Sequence, residues 1–494
     1  MSIELISYRH ECHLLNSSSS HSIVFFDDEF LRDIQDNSLY CNDYLGDGIY
    51  YAGDNFVLCS DSEKKKYLAA LLSSEYRHIV KRDVISLILK DYLGLDIHGD
   101  VDIDHGSLVS IPRKCGSVLP NKEFFNEFLE FLLLPNVVIL GGSDNSDEHF
   151  LLKKGRKIKM CFAYDASQSV ARKDEKGFWI VFGQDSGSQI IFAFSDNRKG
   201  NSEHKIDYFS EDRKKDLQTT LPIGIDLKIT NFCSKGCEYC YQDSSIQGEH
   251  GHVFRFIDLL AKMEIFEVAI GGGEPLEHPD FFYMIEQFRE KDIVPNFTTR
   301  DIFWVHDSVL RDTISKNVGR LAISIDGRTN IKRITTMLEF YRFPIEKIAL
   351  QVTMGTLSRY SFLDILMACK KYDVLLSLVG YKRYGRGKDF KIEKYDWWLD
   401  IVDKVRKGGG MTDIVIDTVL AKEYEDEIKK RDIPHWCFNT EEGKYNCYVD
   451  LVEMKMAKCS YTDEKIDLPD FGFGDDEFIA EFKKIYRGFY DDEK

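Results

Sequence analysis

The chain has 494 residues, 43% of them apolar, with 34 Gly and only 10 Pro, so it reads as globular and too long for one ordinary core. Its 83 acidic residues outnumber 65 basic ones, giving a formal charge of -18, the wrong sign for a partner such as nucleic acid or an anionic membrane surface. The longest apolar stretch, 128–140, is broken by Glu130, Pro135 and Asn136 and is too short to cross about 30 Å of hydrocarbon, and Glu4, Arg9 and Glu11 interrupt any signal-peptide core, so the expected location is cytoplasmic.

Residues 1–215 read as an α+β N-terminal domain. His10, Cys12 and His13 are close together but lack further ligands, so no metal site is expected there, and NSSSSHS (16–22) reads as a polar loop. DGIYYAGDNFVLCS (47–60) reads as a hairpin, EKKKYLAALLSSEYRHIV (63–80) and KRDVISLILKDYL (81–93) as helices, and EFFNEFLEFLLL (123–134) as an amphipathic helix with a wide apolar face. VVILGGSDN (137–145) reads as a strand and turn, because no helix opens after its glycines. GFWIVFGQDSGSQIIFAFS (177–195) carries a second hairpin signal, and NRKGNSEHK (197–205) is a candidate linker.

From 222 to 408 strand-like runs alternate with helix-period segments, beginning with GIDLKITNF (224–232) and VFRFIDLLAKM (253–263). Five further strand and helix pairs follow, the last being VLLSLVG (374–380) and WWLDIVDKVRK (397–407). Six such units predict an α/β fold, a partial (β/α)6 barrel of the TIM type, in which chemistry gathers on the loops at the carboxyl ends of the strands.

Three motifs fall on those ends. After the first strand, Cys233, Cys237 and Cys240 form a C-x3-C-x2-C loop, whereas Cys12, Cys41, Cys59, Cys115, Cys161 and Cys369 are scattered and read as small buried hydrophobes. A structural zinc site usually takes four ligands, often as two C-x2-C pairs, and no second pair exists. Three thiolates fit a [4Fe-4S] cubane better, leaving one iron open to a chelating small molecule. After the second strand comes GGGEP (271–275), where glycines let the backbone approach a ligand and Glu274 offers an acceptor to an ammonium group. After the fourth comes SIDG, with Ser324 and Asp326 expected on opposite sides of the strand end, one of them reaching a bound cofactor.

Together these residues resemble a radical S-adenosylmethionine (SAM) enzyme over about 222–470, in the branch that often carries a SPASM or twitch extension. The resemblance implies that Cys233, Cys237 and Cys240 hold the [4Fe-4S] cluster and that SAM occupies the open iron. It also implies SAM contacts from Gly272, Gly273, Glu274 and Pro275, an adenine neighbour in Tyr239, and a methionyl or ribose contact in Ser324. GYKRYGRGK (380–388) resembles the end of the sixth strand in this branch. Arg300, in FTTRDIF, stands where the family often has Asn, so contacts there are expected to differ.

Residues 409–494 resemble a small C-terminal twitch or SPASM-like extension, with a hairpin signal in the segment that carries Cys437, Cys447 and Cys459. These three are candidates for an auxiliary iron-sulfur cluster, with His435 as a further ligand, or else buried thiols. The function implied is reductive cleavage of SAM to a 5'-deoxyadenosyl radical and hydrogen abstraction from a substrate. A ribosomally made peptide is expected, modified by cross-link, epimerisation or thioether, with a one-electron donor of the flavodoxin or ferredoxin type. In peptide-modifying relatives a small winged-helix element binds the leader, and the expected order of hairpin then helices at 48–94 is compatible with one. The alternatives are a radical SAM enzyme acting on a small metabolite and a non-catalytic metal-binding module.

Overall fold

The helix at Lys122–Leu132 shows how the first part of the chain builds its core. Asn121 caps it by accepting from the Phe124 amide at 3.2 Å, and the 3.6-residue period then turns Phe124, Phe128 and Phe131 inward. Trp179 meets Phe124 edge-on at 5.2 Å and satisfies its indole N–H on Glu127 at 2.9 Å. Helices Asp61–Tyr76 and Arg82–Leu93 complete this cluster.

The computed structural model describes residues 2–9, 20–25, 49–51, 56–58, 60–95, 101–103, 111–133, 137–142, 160–162, 169–195 except 186 and 188, and 218–491 except 328, 408–413, 432, 434–436 and 439. Two units result, 1–215 and 216–494. His10, Cys12, His13, His435 and the 197–205 segment lie outside the described residues.

Within the first unit, Trp179–Gly183 and Gln189–Ser195 pair antiparallel as the sequence predicts, inside a sheet that also takes Ser2–Arg9, Ser169–Lys173 and Arg113–Lys114. The other predicted hairpin does not form. Ile49–Tyr51 pairs in parallel with Val101–Ile103, while Phe56–Leu58 pairs antiparallel with Val137–Gly142. Phe56–Leu58 thereby becomes the edge of a four-stranded sheet, whereas Ile49–Tyr51 and Val101–Ile103 make a two-stranded one. Ser20–Phe25 likewise pairs with Val137–Gly142, so the end of the expected polar loop is strand. Among the described residues of 48–60, the two strands thus pair elsewhere and not with each other.

In the second unit the strands are β1 Gly224–Thr230, β2 Glu267–Gly272, β3 Val294–Thr299, β4 Leu321–Ile325, β5 Ile348–Thr353 and β6 Leu375–Val379. The helices between them are α1 Phe254–Lys262, α2 Phe281–Glu290, α3 Ser308–Asn317, α4 Ile331–Phe340 and α5 Arg359–Tyr372, and α6 Trp398–Lys407 follows β6. All six strands are parallel and adjacent in chain order, the arrangement of a partial TIM-type barrel.

The sheet continues past the six expected strands on both edges. β7 Ile414–Ile416 adds in parallel to β6, and β8 Asn446–Asp450 adds in parallel to β1, followed by β9 Lys455–Ala457 as an antiparallel hairpin partner. The 409–494 segment is thus sheet-continuous with the barrel. A buried ion pair, Lys228 Nζ to Asp450 Oδ2 at 2.8 Å, ties β1 to β8, and the helix Asp475–Asp491 packs Phe478, Phe482 and Tyr486 on the same core. Among the described residues no helix is long and apolar enough to cross a membrane.

Candidate active site

Alternation along the barrel strands separates two environments. One set of positions, such as Ile225, Leu227, Val268, Ile270, Leu350 and Leu376, is fully buried in the core shared with the helices. Several of the intervening positions stay accessible on the other face: Asp226 and Ala269 are exposed, and Thr298, Ser324, Gln351 and Ser377 are half-buried, whereas Lys228 is buried in its pair with Asp450. Register places Asp226 beside Ala269 and Gln351 between Ser324 and Ser377. A TIM barrel normally fills its interior with branched apolar side chains. Here the accessible positions, Asp226, Ala269, Thr298, Ser324, Gln351 and Ser377, are polar or small.

The cysteine loop leaves the carboxyl end of β1. Its main chain is pinned where the Cys233 amide donates to Ser245 O at 3.0 Å and the Cys240 amide to Cys237 O at 3.3 Å. Lys235 pairs with Asp301 at 2.7 Å, and Ser234 donates to Glu277 through its amide and its hydroxyl. From beyond β6, Arg386 clamps the far side, donating to Cys237 O at 3.2 Å, Ser244 O at 2.8 Å and Asp243 at 2.9 Å. The GYKRYGRGK segment is therefore the strap of the cysteine loop, a role that sequence reading did not assign to Arg386.

Cys233, Cys237 and Cys240 are free thiols, each half-buried at this mouth. Burial, the Glu274 carboxylate and neighbouring Cys237 push the Cys233 thiol above its ordinary range, against the lowering effect of the Lys235 amide. Among the described residues no three His, Cys, Asp or Glu side chains gather around a single-ion position.

GGGEP closes β2 against the same loop. The Gly273 amide donates to Thr230 O at 2.7 Å and the Glu274 amide to Phe232 O at 3.0 Å, carrying the β1 and β2 pairing into the cysteine loop. Pro275 opens a single 3-10 turn over Pro275–Glu277, and Glu274 caps it. The Glu274 carboxylate is 2% exposed, accepting from the Thr299 hydroxyl at 2.6 Å, the Leu276 amide at 3.4 Å and the Arg300 amide at 3.0 Å. Burial raises its pKa, while these donors and Lys235 work the other way. Three of its roughly four acceptor directions are taken, so Glu274 acts foremost as the joint between β2 and β3, with one direction left for an ammonium group.

Ser324 and Asp326 were expected on opposite sides of the strand end. Residues two apart share a face, and they differ in burial instead: Ser324 is half-buried on the inner face, whereas Asp326 is 3% exposed and paired with Arg300 at 2.8 Å. Tyr239 receives a hydrogen bond from Arg300 at 2.5 Å and lies edge-on to Phe390, and burial pushes its hydroxyl up to about 12.

Cys437, Cys447 and Cys459 are all buried. Cys437 and Cys447 are part of the apolar core, with Cys447 paired to Ile225 on the side that faces the helices. Cys459 stands apart, beside Glu442, its thiol pushed up to about 12 by burial and that carboxylate.

His278 locks the turn after GGGEP. Its Nδ1 accepts from the Asp280 amide at 3.1 Å, so Nε2 carries the proton and donates to Gly251 O at 3.3 Å. Burial, with His250 nearby, lowers its pKa, so the unfolded chain binds the proton more readily than the folded one. Stability is therefore expected to fall as pH drops below the ordinary histidine range near about 6.5. His278→Gln, which holds no titrating proton, should flatten that part of a Tm-against-pH curve, and an unchanged slope would refute the assignment.

Residues 227–430 match the family model described as the Radical SAM superfamily. Mycofactocin maturase MftC of Mycobacterium ulcerans (strain Agy99) is 23% identical over 215 residues, covering 38% of this chain and 58% of that protein. The protein of the same name from Mycobacterium tuberculosis (strain ATCC 25618 / H37Rv) is also 23% identical over 215 residues, covering 38% and 54%. The chain thus spans a little over half the length of these relatives. Streptococcus suis SuiB bound to precursor peptide SuiA aligns with a TM-score of 0.47 at 13% identity, covering 65% of this chain and 89% of that one. SuiB bound to S-adenosylmethionine aligns at 0.41 and 14%, covering 56% and 68%. Residues 227–430 of this chain are a radical SAM domain, from the enzyme superfamily that uses a [4Fe-4S] cluster and SAM.

Proposed function

We propose that this chain is a peptide-modifying radical SAM enzyme in which Cys233, Cys237 and Cys240 hold the [4Fe-4S] cluster. The observation that carries the reading is the meeting of three strand-end motifs, the cysteine loop, Glu274 and Arg300 with Asp326, over an accessible polar inner face. When bound, cluster and SAM supply a 5'-deoxyadenosyl radical able to remove hydrogen from an unactivated carbon. Gly272, Gly273, Glu274 and Pro275 shape the edge on which the methionyl end of SAM rests, Tyr239 offers an aromatic face, and Ser324 supplies a hydroxyl at the inner rim. The Arg386 strap and the Lys235 to Asp301 pair fix the cysteine loop to the segment after β6 and to the turn after β3.

A peptide substrate is supported by the likeness to proteins named as maturases. The modification is a cross-link, an epimerisation or a thioether. The electron comes from a flavodoxin or ferredoxin type of donor, because SAM cleavage needs the low end of iron-sulfur potentials. The test is anaerobic: the protein reconstituted with iron and sulfide is given SAM, dithionite and short peptides encoded beside its gene. Production of 5'-deoxyadenosine together with a mass change on one peptide supports the reading. Cleavage of SAM with every such peptide unchanged, and a metabolite consumed instead, refutes the peptide substrate.

A further inference from the structure

Arg300 is the residue of the FTTRDIF turn that departs from the expected asparagine, and its side chain has an unusual set of partners. Its Nη1 donates to the Cys237 sulfur at 3.2 Å and to the Tyr239 hydroxyl at 2.5 Å, while Nη2 pairs with Asp326 at 2.8 Å. Its own amide donates to Glu274 at 3.0 Å. One residue at the end of β3 therefore touches the loops that follow β1, β2 and β4. Asp326 is itself anchored by the Thr329 hydroxyl at 3.1 Å, so the guanidinium is held in a planar fork rather than free to swing. An arginine side chain stays protonated across the working pH range, so the fork is cationic.

A hydrogen bond from a cation to a ligating sulfur draws electron density from the thiolate and favours the form of the cluster that carries one more negative charge. Of the three loop cysteines, Cys237 is the one that Arg300 contacts, so the effect is directed to one iron. We infer that Arg300 is a positioning residue whose guanidinium donates to the Cys237 sulfur and thereby raises the reduction potential of the [4Fe-4S] cluster. The inference rests on Cys237 being a cluster ligand. It gives the substitution of Arg for Asn a purpose: electron entry from the flavodoxin or ferredoxin type of donor becomes easier, and the same cation fixes Tyr239 and Asp326 at the mouth.

The test is a redox titration without SAM, following the cluster by electron paramagnetic resonance in the reconstituted full chain, R300Q and R300K. Iron per chain and the cluster absorbance are measured first. Absence of a cluster in the unsubstituted protein would sink the cluster reading itself, separately from this inference. With the cluster present, R300Q is expected to shift the midpoint to a more negative potential at unchanged iron content. R300K, which keeps the charge but loses the fork, should shift it less in the same direction. If glutamine prevents folding, the lysine variant decides alone. A midpoint equal to that of the unsubstituted protein, in whichever variant retains its iron, overturns the inference.

Discussion

Alanine at Cys233, Cys237 or Cys240 is expected to reduce 5'-deoxyadenosine formation to background and to leave the reconstituted protein without its full iron. Each of the three thiolates serves a separate iron, so losing one leaves an iron with no protein bond and only two anchors for the rest. Outer partners of metal ligands typically cost 10–100-fold on removal, and removing a ligand should cost more. The contrast with Arg300 is diagnostic, because its variants are expected to keep the iron and change the potential. Cys447→Ala is the matched control: its sulfur is buried in the apolar core, where burial holds the thiol above its ordinary range. That variant should still bind about four irons per chain. Full iron and SAM cleavage in Cys237→Ala would remove the basis of the site, and eight irons in the unsubstituted protein falling to four in Cys447→Ala would restore an auxiliary cluster.

Much of the barrel is legible because its two periods are clean. Phe281, Met284, Ile285 and Phe288 repeat at helical spacing and become the buried face of α2, and the run GIDLKITNF becomes β1 from its first residue, Gly224. The hairpin around Cys447 is readable for the same reason. Where that hairpin docks is not, since nothing local in Asn446–Asp450 says that it will pair in parallel with β1. The dock carries an ion pair between Lys228 and Asp450, residues far apart in the chain, each of which alone reads as an ordinary polar position. The short strands near residue 50 fail for the opposite reason: their local signal is real, but their partners are chosen by tertiary competition.

The site divides in the same way. The cysteine spacing and GGGEP declare themselves because the loop chemistry is contiguous, whereas the roles of Arg300 and Arg386 depend on partners from other strand ends. A basic residue inside a turn carries no such information by itself. Glu274 is the instructive intermediate case. Its type was readable as an acceptor, yet its use as the joint between β2 and β3 appears only when Thr299 and Arg300 arrive beside it.

Gly273→Ala is expected to destabilise the barrel unit by about 3 kcal/mol and to abolish measurable SAM binding. A Cβ at Gly273 would lie 2.0 Å from the Phe232 carbonyl oxygen, which belongs to the backbone leading into the cysteine loop and has no rotamer to escape into. Relief requires moving that loop away from β2, which breaks the Gly273 amide bond to Thr230 and the Glu274 amide bond to Phe232. Gly272 adds a second constraint, with φ of +113° and a Cβ position 2.3 Å from Thr230 O, so alanine there is both strained and crowded. At roughly 2–4 °C per kcal/mol for a unit of this size, Tm should fall by roughly 6–12 °C. Gly271→Ala separates packing from chemistry, because its Cβ would meet nothing within 4 Å and should leave Tm unchanged. Calorimetry of the two variants beside the unsubstituted chain checks the claim. Equal Tm values for Gly271→Ala and Gly273→Ala would mean that the close backbone approach does not hold the cysteine loop. A large difference between them would mean that the glycines serve the loop's position as much as any ligand's, since the cluster ligands are only as well placed as the backbone that carries them.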